Sequence, residues 1–115
     1  MKENKPPFSF GSGDVFTDLG FSKEESIELT MKASLFRTLQ KALVEIKGTQ
    51  AEKAALLEIP QPKISDILNG KMSGFSVERI GSFLVKLNYE VHIGACPAPS
   101  GMSGRVVDDS KLLSA

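Results

Sequence analysis

The chain has 115 residues, 41% of them hydrophobic and 24% charged, and its formal net charge is zero. This composition excludes a chain that is disordered throughout and predicts one domain with an ordinary buried core. A single cysteine, Cys96, excludes an internal disulfide, and no Cys/His cluster has zinc-site spacing, so we expect neither a metal nor another cofactor. The first ten residues lack the apolar run of a signal peptide, and no run approaches the roughly 18 apolar residues of a membrane span. We therefore expect a cytoplasmic protein.

The charge is unevenly distributed along the chain. Residues 1–29 carry three lysines against six acidic residues, a net charge of −3. Residues 30–95 carry nine basic against six acidic residues, a net charge of +3. The basic excess therefore falls on the centre, where a nucleic-acid partner would need it, but it is mild and decides nothing alone.

Both ends of the chain look irregular. Residues 1–13 combine Pro6, Pro7, Gly11 and Gly13 without any period, which predicts a flexible lead. Residues 96–104 are rich in Pro, Gly and Ser, which predicts that 95–115 is a flexible tail; an ordered docking segment is the alternative. The folded domain is then expected over residues 14–94.

The first half of that domain is predicted to be helical. Ser22 and Glu25 have the spacing of a capping box, in which hydroxyl and carboxylate each accept from the other residue's backbone N–H. From Leu35 to Ile46 the apolar residues recur at helical spacing, and Gly48 provides a stop. The pattern leaves open whether one helix or two cover residues 22–47.

Two very short helices are predicted next. Thr49 and Glu52 repeat the capping-box spacing and open a helix that must end before Pro60. Residues 61–68 form the second helix, in which Pro62 is tolerated because first-turn amides have no internal acceptor, and residues 69–70, Asn-Gly, close it.

A further helix and a strand complete the predicted domain. Ser76 caps a stretch with one apolar face, and Asn88 is a suitable left-handed terminator. Tyr89, Val91 and Ile93 then alternate with polar residues, which predicts a strand over 89–93. A lone strand needs a partner, either the same strand of a second subunit or residues 106–107. We expect an all-α bundle of about five helices with this short C-terminal strand.

Two short helices between longer apolar ones are typical of a helix-turn-helix. Ala54 is small where the two helices must cross, and Ile64 and Ile67 are spaced to pack inward. The stretch TQAEKAALLEIPQPKISDILNGK resembles the Cro/CI-type, or XRE-like, repressors, and within that family the HigA-type antitoxins. The resemblance covers about residues 30–93, including FSVERIGSFLVKLNYEVHI. It implies a lambda-repressor-like fold and a DNA-binding transcriptional regulator, most simply a repressor.

One position departs from the family pattern. The turn usually holds glycine where this chain has Glu58. A side chain at positive φ costs about 1 kcal/mol, so either the turn is remodelled or the strain is tolerated.

The resemblance and the helical geometry together suggest DNA-contacting residues. Gln61 is the first choice for reading bases, because its amide can pair bidentately with adenine in the major groove. The residues expected to read bases are Gln61, Pro62, Ser65 and Asp66. Helix starts and basic side chains suit phosphates. The residues expected to bind phosphate are Thr49, Gln50, Lys63, Asn69, Lys71 and, more weakly, Arg37.

Two functions from other classes are the alternatives to a DNA-binding regulator. An enzyme is not expected, because His92 is the only histidine, Cys96 has no evident base and no nucleophile elbow or phosphate loop is present. The main alternative is a protein-binding antitoxin scaffold that neutralises a toxin with little DNA binding of its own. The acidic stretch from Asp14 to Glu28 would suit a basic toxin surface, although an ordinary solvated helix explains it equally well. As a regulator, the protein is expected to be a homodimer that reads an inverted repeat in double-stranded DNA.

Overall fold

The computed structural model describes residues 14–108. The predicted lead, residues 1–13, and the last part of the predicted tail, residues 109–115, lie outside the described region. Within it there are five helices, which confirms the all-helical class. They are α1 (Asp14–Asp18), α2 (Lys23–Glu45), α3 (Gln50–Leu57), α4 (Gln61–Leu68) and α5 (Val77–Lys86).

A single helix, α2, covers most of residues 22–47, where the sequence pattern left open whether there is one helix or two. It begins directly after Ser22, and the predicted capping box forms across its first turn: the Glu25 N–H donates to Ser22 Oγ at 3.1 Å, and the Ser22 N–H donates to Glu25 Oε1 at 2.9 Å. It ends at Glu45, shortly before Gly48. None of the described helices combines the length and the hydropathy needed to cross a membrane.

The chain divides into two compact units, and residues 35–93 form one of them. Its core takes at least one large side chain from each of the helices α2 to α5. The side chains with 2% exposure or less are Leu39, Leu43, Leu57, Ile64, Ile67, Ile80 and Leu84. Phe75 adds an aromatic cluster, with ring centroids 6.4 Å from Phe36 and 6.0 Å from Phe83. This core brings together the second half of α2 and the three helices that follow it.

The other unit contains residues up to Ser34 and those from Gly94 onward. Within it, Thr17 Oγ1 donates to Ser26 Oγ at 3.2 Å, and Thr30 Oγ1 donates to the Ser26 carbonyl at 2.8 Å. These bonds satisfy the buried hydroxyls on the first half of α2. Residues 94–108 form neither helix nor strand, and residues 101–106 line, with α1 and α2, an open cavity of about 490 Å³.

The turn after α3 keeps its standard geometry despite Glu58. The backbone of Glu58 is left-handed, with φ 59° and ψ 44°. The Ile59 N–H donates to the Ala54 carbonyl at 3.1 Å, and the Glu58 N–H donates to the Ala55 carbonyl at 3.3 Å. This pair of bonds is the Schellman arrangement, in which glycine is the usual left-handed residue. The strain is therefore tolerated and the turn is not remodelled.

Two further helices end in the same way. After α4 the left-handed residue is Gly70, with φ 81°, and the Lys71 N–H donates to the Asp66 carbonyl at 2.8 Å. After α5 it is Asn88, with φ 73°, and the Tyr89 N–H donates to the Leu84 carbonyl at 2.9 Å. The predicted terminators, Asn-Gly and Asn88, thus act as expected.

The predicted strand over residues 89–93 is wrong for this chain, because no described residue is in a strand. A strand exists only where a second segment completes its hydrogen-bond ladder, and neither residues 89–93 nor residues 106–107 are in a strand. The alternating pattern instead reflects a segment that leaves the core: Val91 packs against the core, whereas Ile93 is 94% exposed.

Replacing Glu58 with glycine should stabilise the protein. Glycine removes the cost of a side chain at positive φ, roughly 1 kcal/mol. Loss of the exposed ion pair between Glu58 and Lys86 costs only about a few tenths of a kcal/mol. We expect a net gain of about 0.5–1 kcal/mol in the free energy of unfolding, measured by urea denaturation.

Gly70→Ala is the matched control, because it makes the reverse change at the end of α4. A Cβ at Gly70 meets only Gln40 Nε2, at an ordinary 3.8 Å, so backbone strain dominates. This variant should lose roughly 1 kcal/mol. If Glu58→Gly were also destabilised, strain at Glu58 would not be the controlling term.

Candidate nucleic-acid interface

Helices α3 and α4 form the predicted helix-turn-helix. Each has eight residues, and residues 58–60 connect them. Ala54 and Ile59 are buried at the crossing, and Ile64 and Ile67 are fully buried beneath α4. The opposite face of α4 is therefore available to a ligand. Of the residues predicted to read bases, Gln61 and Pro62 are exposed, while Ser65 and Asp66 are half-buried.

The start of α4 differs electrostatically from the starts of α2, α3 and α5. Helices α2, α3 and α5 each carry an acidic residue in the first turn, whereas α4 carries none. Its N-cap is Pro60, which makes no side-chain cap hydrogen bond. The positive end of the α4 dipole is thus compensated by neither a carboxylate nor a side-chain cap, and it lies beside the exposed Gln61; Pro62 has no N–H, and the Lys63 N–H donates to the Pro60 carbonyl at 2.9 Å. An anionic ligand such as a nucleic acid is favoured at this end.

The start of α3 is already occupied by its own capping box. The Thr49 N–H donates to Glu52 Oε1 at 2.8 Å, and the Glu52 N–H donates to Thr49 Oγ1 at 3.1 Å. The backbone N–H of Thr49, a residue predicted to contact phosphate, therefore already has a partner in the first turn of α3. Gln50 is exposed beside them, so a phosphate at this end would meet the amides of residues 50 and 51.

Lys63 is tied to the core more closely than the pattern suggests. Its Nζ lies 5.3 Å from the centroid of the Phe75 ring, and Phe75 is only 3% exposed. An ammonium over an aromatic face is held by a cation–π attraction. Lys63 thus has a partner within the protein, whereas Lys71 is exposed beyond the end of α4.

The remaining candidates are divided between two places. Asn69 Nδ2 lies 3.4 Å from Ser65 Oγ, so a residue predicted to bind phosphate and one predicted to read bases meet on one helix face. Arg37 is exposed on α2, away in sequence from the other candidates.

Two residues that support the motif were missed by the sequence analysis. Gln40 Nε2, on α2, donates to the carbonyls of Ile67 and Leu68, at 3.2 Å each. Lys86 Nζ, on α5, donates to the Leu57 carbonyl at 3.3 Å and lies 3.6 Å from Glu58 Oε1. Each therefore caps the C-terminal end of one short helix from a neighbouring helix. These pairs are 27 to 29 residues apart in sequence, so no local pattern could reveal them.

The described part of the chain contains no candidate metal site. No group of three or more His, Cys, Asp or Glu side chains there could hold a metal ion.

Comparisons with known proteins identify the family. A model described as a helix-turn-helix domain matches residues 15–95. A solved structure named as an XRE-family transcriptional regulator is 32% identical, with a TM-score of 0.65, and the match covers 72% of this chain and 93% of that one. No curated protein matches the chain. The protein belongs to the helix-turn-helix domain family. Within it, this chain is an XRE-like transcriptional regulator, which confirms the resemblance at that level.

The two lysines of the site should differ in their effect on stability. Lys63→Met removes the ammonium from the Phe75 ring but keeps an apolar stem, so we expect a loss of about 0.5–1 kcal/mol in unfolding free energy. Lys71→Met changes an exposed side chain and should stay within about 0.5 kcal/mol of the native protein. Equal losses in a denaturation experiment would contradict the anchoring of Lys63.

Proposed function

We propose that the protein is a sequence-specific repressor that places α4 in the major groove of double-stranded DNA. The observation that carries this proposal is the uncompensated start of α4. It combines a positive dipole end without an acidic residue and the exposed Gln61, on a helix whose other face is buried in the core.

The residues along α4 divide the work of reading bases. Gln61 stands at the helix start and can bind adenine through its N6 and N7 atoms, and Pro62 offers an apolar surface to a thymine methyl. Ser65 and Asp66 follow one turn later and are half-buried, so they reach only bases that the groove brings close. Gln61 therefore carries most of the discrimination.

Phosphate contacts set the position of α4 on the duplex. Lys71 is exposed beyond the C-terminal end of α4, and Gln50 is exposed at the N-terminal end of α3. They are the strongest phosphate contacts that we propose. Lys63, Asn69, Thr49 and Arg37 complete the set, although Lys63 and Thr49 are also held by contacts within the protein. The small number of cations predicts modest nonspecific affinity.

We also propose that two subunits bind one inverted repeat, with their α4 helices in successive major grooves about 34 Å apart. One eight-residue helix reads too few base pairs to define a site alone. An apolar surface suited to self-association runs from the last turn of α5 into the segment that follows it, where Val85, Tyr89 and Ile93 are 60%, 40% and 94% exposed. Its burial in a dimer would remove these side chains from water.

A selection from a random duplex library tests the DNA-binding function. The native protein should enrich a single inverted-repeat sequence, whose binding weakens steeply as salt is raised. Recovery of unenriched sequences would refute the proposal.

Gln61→Ala tests the assignment of the base-reading residue. Gln61 is exposed, so its loss should leave stability within about 0.5 kcal/mol of the native value. Binding to the selected duplex should weaken about tenfold, and the preference should relax at one base pair of each half-site. Lys71→Ala is the control: it should weaken selected and scrambled duplexes alike and lower the salt slope by about one. Unchanged base preference in Gln61→Ala would remove Gln61 from this role.

The dimer is tested by sedimentation at micromolar concentration. We expect twice the mass of one chain, and Ile93→Asp, which places a charge on the apolar surface after α5, should shift the protein to the monomer. A native protein that sediments as a monomer, with or without the duplex, would contradict the dimer.

A second candidate function is an antitoxin of the HigA type, in which the chain binds and neutralises a toxin. It is favoured by the other compact unit, where Leu19, Phe21 and Met31 are 69%, 41% and 44% exposed and the acidic residues Glu24 and Glu28 are also exposed. A mixed apolar and acidic surface of this kind suits a basic protein partner. Co-purification with the product of an adjacent gene that encodes a small basic protein, lost in Phe21→Asp, would support it; the absence of a complex with that product would count against it.

A further inference from the structure

We infer that Gln40 is a positioning residue for DNA recognition, which acts by fixing the C-terminal end of α4 to α2. The inference deepens the proposed DNA-binding function and rests on it. Gln40 lies on α2, outside the helix-turn-helix, and its side chain is half-buried.

Both hydrogens of the Gln40 amide have acceptors in the last turn of α4. Nε2 lies 3.2 Å from the Ile67 carbonyl and 3.2 Å from the Leu68 carbonyl. The Ile67 carbonyl also accepts from the Gly70 N–H, at 3.0 Å. The Leu68 carbonyl, one of the final carbonyls that a helix cannot satisfy internally, depends on Gln40.

This attachment matters because α4 is short and held unevenly. At its N-terminal end it has no side-chain cap, and the base-reading Gln61 stands there. An eight-residue helix is about 12 Å long, so a tilt of about 5° at the Gln40 end displaces the far end by about 1 Å. A displacement of that size is enough to break a bidentate hydrogen bond to a base. Gln40 thus controls the reading end of α4 from the opposite end.

The isosteric variant Gln40→Glu provides the sharpest test. It keeps the shape of the side chain but replaces the donor with a carboxylate that faces two carbonyl oxygens at the negative end of the helix dipole. Gln40→Lys restores a donor and a favourable charge at the same place, so it is the rescue variant.

A purely structural role is separated from a positioning role by the ratio of two affinities. The probes are the duplex selected by the native protein and its scrambled counterpart, measured by fluorescence anisotropy well below the melting temperature of every variant. A variant that is merely less stable loses folded protein, which weakens both affinities equally and leaves their ratio unchanged. A mispositioned α4 weakens the selected duplex alone.

Ser76→Ala is the matched stability control. Ser76 Oγ caps α5 by accepting from the Arg79 N–H at 3.1 Å, and removing an N-cap costs about 1 kcal/mol without touching α4. Its affinity ratio should equal that of the native protein.

We expect Gln40→Glu to lower the ratio about tenfold and Gln40→Lys to recover most of it. A Gln40→Glu ratio equal to that of Ser76→Ala would overturn the inference while leaving the proposed function intact. Failure of the native protein to select any duplex would instead refute the proposed function itself.

Discussion

The shortness of α3 and α4 is the constraint on which the rest of the structure depends. Isolated helices of eight residues are unstable in water, because nucleation costs more than two turns of hydrogen bonds return. Both helices are therefore stabilised by packing against each other and by burial in the core that they share with α2 and α5. Leu57, Ile64 and Ile67 are fully buried in that shared core. Since burial decides which face of α4 points inward, it also decides which face is left to meet DNA.

The ends of the two short helices are held by interactions of different kinds. The N-terminal end of α3 is closed by its own capping box, whereas the start of α4 is open and free of acidic residues. The C-terminal ends are capped from outside, by Lys86 on α3 and by Gln40 on α4. The C-terminal ends of both short helices are thus held by neighbouring helices. The N-terminal end of α4 remains accessible to a negatively charged ligand. The tolerated left-handed conformation of Glu58 fits this design, because Lys86 supports the turn that the residue strains.

Local chemistry made most of the fold predictable from sequence. The capping box that includes Thr49, the proline breaks and the left-handed terminator Asn88 each act over a few residues, and the structure has them as expected. The alternation of apolar and polar residues that ends at Ile93 led to the wrong prediction of a strand. A strand requires a pairing partner, which the periodicity of a sequence does not reveal. Gln40 and Lys86 were missed for the same reason: their acceptors lie far away in sequence. The base and phosphate contacts stay predictions, since chemistry and position along α4 suggest them but only a complex can test them.

The proposed DNA contacts all depend on α4 being the surface that enters the major groove. The most direct measurement is a titration of the isotopically labelled protein with the selected duplex, followed by backbone amide resonances in heteronuclear NMR spectra. We expect the largest chemical-shift changes on residues 61–71 and on the start of α3 near Gln50. A scrambled duplex should produce much smaller changes. Shifts concentrated in residues 16–34 or 94–108, with α4 unaffected, would contradict the proposal, because the duplex would then bind at another surface.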